Sequence, residues 1–317
     1  MKAGIVQGLG RTPVYADFPA PIPAEGERLI KVTAAALTQL ARGRASGGHY
    51  SSSGAYPFVA GVDGVGKLED GGRVYFLLPR PPYGAFAEET VVNASQCVPA
   101  PDGLDDVTAA AIANPGMSSF AALVDRARLA TGETVLVNGA TGTSGRLAVQ
   151  IAKHLGAKKV IATGRNPKSL AALAALGADA TIALTADDAA LEKSFLGAFA
   201  ERVDVVLDYL WGRNAELLLA AAAKAAPKSA EIRFVQIGAL AGGQISFRAD
   251  VLRSTPIEIM GSGLGSVPAP RLLAAIGAVF AAVKPAGMQV ATRTVPLAEI
   301  ETAWADAEDA RRLVFIP

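Results

Sequence analysis

From Thr134 onward, apolar runs of strand length alternate with stretches whose apolar residues recur at helical spacing. The strand candidates are TVLVNG, KVIATG, ATIAL, VDVVLDYL, IRFVQIG and IEIMGS. Between them, SGRLAVQIAKHLG, NPKSLAALAALGA, AALEKSFLGAFAE and NAELLLAAAAKAA carry the helical period. This alternation predicts a parallel sheet with helices on its faces, the doubly wound nucleotide-binding arrangement. The N-terminal third reads differently. RLIKVTAAAL (28–37), RVYFLL (73–78) and AFAEETVVNASQCVPAP (85–101) are short strand-like runs punctuated by Gly and Pro, which predicts an all-β, barrel-like domain. LEDGG (68–72) reads as a tight hairpin, and LLPRPPYGAF (77–86) as part of a cleft rim. The stretch 105–129 reads as helix, turn, helix. The last thirty residues read as strand, helix, strand, with the terminal LVFIP returning to the first domain.

Composition narrows the class. The chain has 317 residues, 51% of them hydrophobic, which is enough for two domains of about 100–200 residues each. A formal net charge of +1 without a basic stripe gives no electrostatic reason to expect nucleic acid or an anionic membrane as partner. The single cysteine, Cys97, excludes an internal disulfide and a four-cysteine zinc lobe. MKAGIVQGLG lacks the apolar region of a signal peptide, and no apolar run approaches the ~18 residues of a transmembrane helix. The expectation is a cytoplasmic globular protein.

The chemistry starts at NGATGTSG. Gly139, Gly142 and Gly145 follow a strand and open an amphipathic helix. Glycines there let backbone N–H groups approach a pyrophosphate, and the helix N-terminus adds about half a positive charge. Thr141, Thr143 and Ser144 add hydroxyl donors. The alternative is a glycine turn that only packs helix on strand. A fold preferring the unphosphorylated dinucleotide places an acid about 20 residues on, against the ribose 2′-OH. Here that place holds Gly164, followed by Arg165 and Lys168. Two cations without a carboxylate favour a 2′-phosphate, hence NADPH.

The run from AFAEETVVNASQCVPAP through NGATGTSG resembles the medium-chain dehydrogenase/reductase superfamily, in its zinc-independent quinone oxidoreductase branch. ALTQLARGRASGGHY, YPFVAGVDGVG and VPLAEIETAWADAEDARRLVFIP extend the resemblance over nearly the whole chain. It implies an α/β protein with a GroES-like β-barrel catalytic domain (1–107, completed by about 288–317) and a Rossmann NADPH-binding domain with a doubly wound parallel sheet (108–287). It also implies cofactor contacts from the loop Gly139–Gly145 and from Gly164, Arg165 and Lys168. Tyr209 and Leu210 would flank the adenine side, Ser118 the nicotinamide, and Gly238, Gly263 and Leu264 the nicotinamide ring. Where zinc-dependent members place ligands, this chain has Thr38, Val62 ahead of Asp63, and ANPGMSS without Cys or His. A catalytic zinc needs three protein ligands, so no metal is expected.

Without a Lewis acid, a conjugated acceptor is easier than a simple ketone, because charge spreads to an enolate or hydroquinone that hydrogen bonds can hold. The expected reaction is hydride transfer from NADPH to a small-molecule quinone or other α,β-unsaturated carbonyl. Tyr50 stands where the family has its active-site tyrosine, and Thr38 replaces the usual asparagine; both are candidate catalytic donors. The alternative for Tyr50 is a wall residue without chemical duty. His49 reads as loop-exposed, His154 as a helix-end cation, Cys97 as packing, and Asp63 as a structural acceptor for backbone donors in AGVDGVG. Competing readings are an enoyl-thioester reductase and a non-catalytic NADPH-binding sensor or RNA-binding relative. The edge strand IEIMGSGLG could pair with its copy, and the resemblance implies such homodimers.

Overall fold

The structure, a computed structural model, describes residues 1–52, 54–184, 187–306 and 311–317. The chain divides into two compact units, one of residues 1–114, 279–281 and 289–317, the other of residues 115–278 and 282–288.

In the first unit, strands of mostly antiparallel register surround a main apolar core and a smaller cluster of Ala3, Ile5, Val59 and Ala87. The ten-residue strand Glu27–Ala36 is its spine. It pairs with Asp63–Lys67, with Glu89–Asn93 and with Arg312–Ile316. The last pairing joins Val314 to Ala36, so LVFIP does return to the N-terminal unit. A register shift between Val32 and Ala34 bends the spine where it changes from one set of partners to the next. Phe76, Phe86 and Phe315 are fully buried in this core, and the Phe86 and Phe315 rings meet edge to face at 4.9 Å. The hairpin expected at 68–72 is present: Asp63–Lys67 pairs with Arg73–Leu77, and the Leu68 N–H donates to the Gly72 carbonyl at 2.9 Å.

The second unit is built on a six-stranded parallel sheet. Its spatial order is Ala180–Ala183, Lys159–Gly164, Thr134–Asn138, Val205–Asp208, Ile232–Gln236, Ile257–Gly261. By sequence that is 3-2-1-4-5-6, the Rossmann order, and it places the switch point between Thr134–Asn138 and Val205–Asp208. Val135, Leu136, Val137, Val205, Val206 and Leu207 are all fully buried, as strands covered on both faces require.

Three expectations need correction. The stretch 105–129 is not helix, turn, helix. Asp106–Ala121 is one helix with Pro115 inside, followed by a wider helical turn over Ala122–Arg126. Proline removes one N–H there, but the flanking residues are so apolar and so fully buried that packing carries the helix through it. The same stretch, Asp106–Arg126, is long and apolar enough to cross a membrane by length and composition, contrary to the expectation of none; 67% of its apolar window is buried inside the protein. The helix expected over 166–178 is broken into Pro167–Ala171 and a 3-10 turn at Ala174–Leu176. A further helix, Ala269–Val283, is one the apolar pattern does not announce.

Candidate functional site

The glycine loop lies at the switch point. Thr134–Asn138 ends in Gly139, whose φ of +89° is open to glycine and costly for other residues. The helix Thr143–His154 then starts at Gly142, which has no side chain to cap it. Its first turn contains no acidic residue, so no carboxylate within that turn competes for its leading N–H groups. A Cβ on Gly145 would lie 2.4 Å from the Gly139 carbonyl oxygen and 2.5 Å from the Ala140 Cα, so only glycine lets the helix close onto the strand. A Cβ on Gly142 would meet nothing within 4 Å. The loop is thus tight on its inner side and open on its outer side, a shape that fits a pyrophosphate laid against the helix N-terminus.

A buried polar network fixes the loop from below. The Asn138 side-chain amide donates to Asp208 Oδ1 at 2.8 Å, and its oxygen accepts the Thr163 hydroxyl at 2.8 Å. The Gly139 N–H donates to Thr163 Oγ1 at 3.0 Å. Asp208 Oδ1 also accepts the N–H groups of Leu210 (3.0 Å) and Trp211 (3.1 Å). Burial raises the Asp208 carboxyl above its ordinary range, against the pull of these hydrogen bonds. Three adjacent strand ends are thereby tied together. Sequence reasoning missed Asn138, Thr163 and Asp208. The available signal was a polar residue at or near the end of three otherwise apolar parallel strands.

The other anticipated cofactor positions gather around this end of the sheet. Leu210 packs over Gly139, where a Cβ would approach its Cδ2 to 2.9 Å. Tyr209 is buried, and its hydroxyl lies 2.8 Å from Ser119 Oγ; burial raises the phenol above its ordinary pKa. Ser119 Oγ is also 3.1 Å from the Ser144 carbonyl, so the buried Ser119, a residue sequence reasoning missed, links Tyr209 to the glycine-loop helix. Ser118 donates to the Pro115 carbonyl at 2.9 Å. The Gly238 N–H donates to the Asp208 carbonyl at 3.1 Å, and a Cβ there would lie 2.7 Å from the Tyr209 carbonyl oxygen. Gly263 and Leu264 form a turn after the edge strand, in which the Gly263 N–H donates to Ser266 Oγ at 2.9 Å.

At the end of Lys159–Gly164, a Cβ on Gly164 would come within 2.3 Å of Thr141 Cγ2, so Gly164 gives the glycine loop room. Arg165 and Lys168 are exposed, and neither has an ion-pair partner among the described residues. Asn166 caps the following short helix by accepting the Ser169 N–H at 3.0 Å.

The candidate donors lie in the first unit. Thr38 is buried and caps the helix Gln39–Ser46, accepting the Ala41 N–H at 2.8 Å, which leaves its own proton to donate. Tyr50 is 73% exposed and stacks on His49, ring centroids 4.2 Å apart. His49 is half-buried rather than loop-exposed: its Nδ1 accepts the Ser51 N–H at 3.1 Å and lies 2.8 Å from Ser51 Oγ. Burial, then the Arg44 charge, holds the His49 pKa below its ordinary value. Asp63 also differs from expectation. It accepts side-chain donors, the Tyr75 hydroxyl at 3.0 Å and the Asn114 amide at 3.1 Å, because its strand partners already occupy the neighbouring backbone groups. Cys97 is partly buried, and desolvation raises its thiol pKa, which suits packing rather than nucleophilic duty.

The chain is 30% identical, over 348 aligned positions covering 96% of both sequences, to a "probable NADPH-dependent quinone reductase" of Emericella nidulans. It belongs to the medium-chain dehydrogenase/reductase superfamily, in the quinone oxidoreductase-like branch. Among solved members, the quinone oxidoreductase of Thermus thermophilus, determined also as its complex with NADPH, aligns over the whole of both chains at 27% identity and a TM-score of 0.82. A mycobacterial quinone oxidoreductase shares the fold at a TM-score of 0.85 and 23% identity, again over the whole of both chains. Residues 145–278 match the family described as zinc-binding dehydrogenase. That match begins after Thr38, Val62 and the ANPGMSS segment, the positions that correspond to this superfamily's zinc ligands. At those positions Thr38 is engaged as a helix cap, and Val62 is a buried hydrocarbon. Among the described residues no group of three His, Cys, Asp or Glu could hold a metal ion. This donor set does not fit a catalytic zinc.

Proposed function

We propose that the protein is an NADPH-dependent oxidoreductase whose acceptor is a quinone or another α,β-unsaturated carbonyl, reduced without a metal. The observation that carries the cofactor reading is the glycine loop, closed under Gly145 and open at Gly142, beside two cations that have no ion-pair partner among the described residues. The N–H groups at the start of Thr143–His154 bind the pyrophosphate, with the Thr143 and Ser144 hydroxyls beside them. Arg165 and Lys168 bind the 2′-phosphate, from a place that holds no carboxylate to repel it. Ser118, Tyr209, Leu210, Gly238, Gly263 and Leu264 bound the remaining parts of the cofactor.

When bound, the cofactor supplies hydride. What the chain must then provide is a place for the negative charge that develops on the acceptor oxygen. With no metal-binding donor set among the described residues, it offers neutral hydrogen-bond donors, the Tyr50 phenol and the Thr38 hydroxyl. Such donors suffice for an enolate or hydroquinone, whose charge is already delocalised, and are weak aids to reducing an isolated ketone. We further propose that two copies pair along Ile257–Gly261, which ends the sheet and leaves Ile259 38% exposed.

NADPH oxidation with 1,4-benzoquinone, 9,10-phenanthrenequinone, an alkyl enone and crotonyl-CoA tests the reaction. Turnover of the quinones or the enone is expected. Turnover of crotonyl-CoA alone would favour enoyl-thioester reduction. Tight NADPH binding without turnover of any acceptor would make the protein a binder rather than an enzyme. Metal analysis of the purified protein should find no stoichiometric zinc.

A further inference from the structure

The first unit contains a recess that none of these roles uses. It lies between the segment after Gln39–Ser46 and the proline-rich run expected as a rim. Phe58, Val62 and Pro82 give it apolar walls; Arg44, Ser51 and Ser52 give it a polar corner. Among the described residues, neither Tyr50 nor any aspartate or glutamate lines it.

The polar corner is incompletely satisfied. Arg44 uses its Nε, which donates to the Ser51 hydroxyl at 3.1 Å and lies 3.3 Å from the Ser51 carbonyl. Its two terminal nitrogens have no hydrogen-bond or ion-pair partner among the described residues. Ser52 Oγ is buried and likewise lacks a partner among them. A buried hydroxyl without a partner is uncommon and costly, and a half-buried guanidinium normally finds a carboxylate. The imidazole of His49, beside Arg44, is held towards its neutral form, and the Tyr50 phenol is the other titratable ring that acts on the guanidinium. A planar fork of free N–H donors with a hydroxyl next to it, at the end of an apolar slot, matches a carboxylate or phenolate on a flat hydrocarbon body.

We infer that Arg44, assisted by Ser52, is a specificity-determining anchor for acceptors that carry an anionic oxygen group on an aromatic or conjugated body. The inference rests on the proposed reductase reading for the identity of the ligand as an acceptor, but not for the existence of the anion site.

Two measurements separate these layers. Turnover is compared for a 1,4-naphthoquinone bearing a propanoate side chain and for its methyl ester. Binding is measured calorimetrically with 1-naphthoate, which cannot be reduced under these conditions. Arg44→Gln should raise the KM of the acid at least about tenfold more than that of the ester, the loss expected of a charge-assisted hydrogen-bond pair. It should weaken 1-naphthoate by a similar factor, and Arg44→Lys should restore part of both. Should Arg44→Gln fail to fold, Ser52→Ala decides, since Ser52 Oγ has no described partner to lose; it should penalise the acid over the ester and weaken 1-naphthoate. If neither quinone turns over but 1-naphthoate binds in an Arg44-dependent way, the anion site stands and the reductase reading falls. Equal effects on acid and ester, or 1-naphthoate binding indifferent to these substitutions, would overturn the inference.

Discussion

Asp63 offers a quantitative test of how the barrel core is held. Its side chain is completely buried, between the Tyr75 hydroxyl and the Asn114 amide. Burial raises its carboxyl from 3.8 to about 6, with Arg312 and the two hydrogen bonds pulling the other way. The folded pKa therefore lies above the unfolded one. Protonation favours the fold: the contribution is fully present below the unfolded value and is lost as pH rises through about 6. At 1.36 kcal/mol per pH unit the swing is about 3 kcal/mol. Asp63→Asn copies the protonated shape, keeps an acceptor for Tyr75, and cannot titrate. The difference in stability between wild type and variant should therefore move by about 2 kcal/mol, most of the full swing, in the variant's favour, between about pH 4 and about pH 7. Calorimetric unfolding of both proteins across this range measures it. Parallel pH profiles would refute the reasoning, because they would mean that Asp63 titrates alike in the folded and unfolded chain.

Three further outcomes test the site. Arg165→Ala should weaken NADPH binding by about tenfold and leave NADH binding unchanged, read by fluorescence titration; an unaltered preference would remove Arg165 from the phosphate site. Gly145→Ala forces a methyl group against the Gly139 carbonyl and Ala140 Cα, so it should abolish tight NADPH binding while circular dichroism still reports a folded chain; retained affinity would show that the loop can open without cost. Tyr50→Phe should slow enone turnover more than quinone turnover, since the hydroquinone monoanion formed by hydride transfer takes its one remaining proton readily from solvent. Equal, negligible effects on both would reject its role as donor.

The parallel sheet was legible because fully buried strands announce themselves as unbroken apolar runs, and because a glycine loop between strand and helix has few other uses. The helix through Pro115 was not, since local rules place a break there and only the burial of Ala109–Ala113 on one side and Ala121–Leu123 on the other overrides it. Ala269–Val283 escaped notice because nearly every position is apolar or small, so no polar face marks its period. The Asn138–Thr163–Asp208 network was illegible for another reason. The three residues are far apart in sequence and become neighbours only once the strand order sets Thr134–Asn138 between the other two. The unpaired corner at Arg44 and Ser52 could not be read either, because an unmet hydrogen bond has no sequence signature.

The contrast between that buried network and the two exposed cations has a consequence for redesign. The parts that shape the glycine loop are interior and interlocked, so changes to Asn138, Thr163 or Gly145 would be felt throughout the sheet. Arg165 and Lys168 are exposed and make no ion pair among the described residues. If the proposed 2′-phosphate contacts hold, selection between coenzymes is a module that laboratory evolution can rewrite, for instance with an acid at Arg165, at little expense in thermal tolerance.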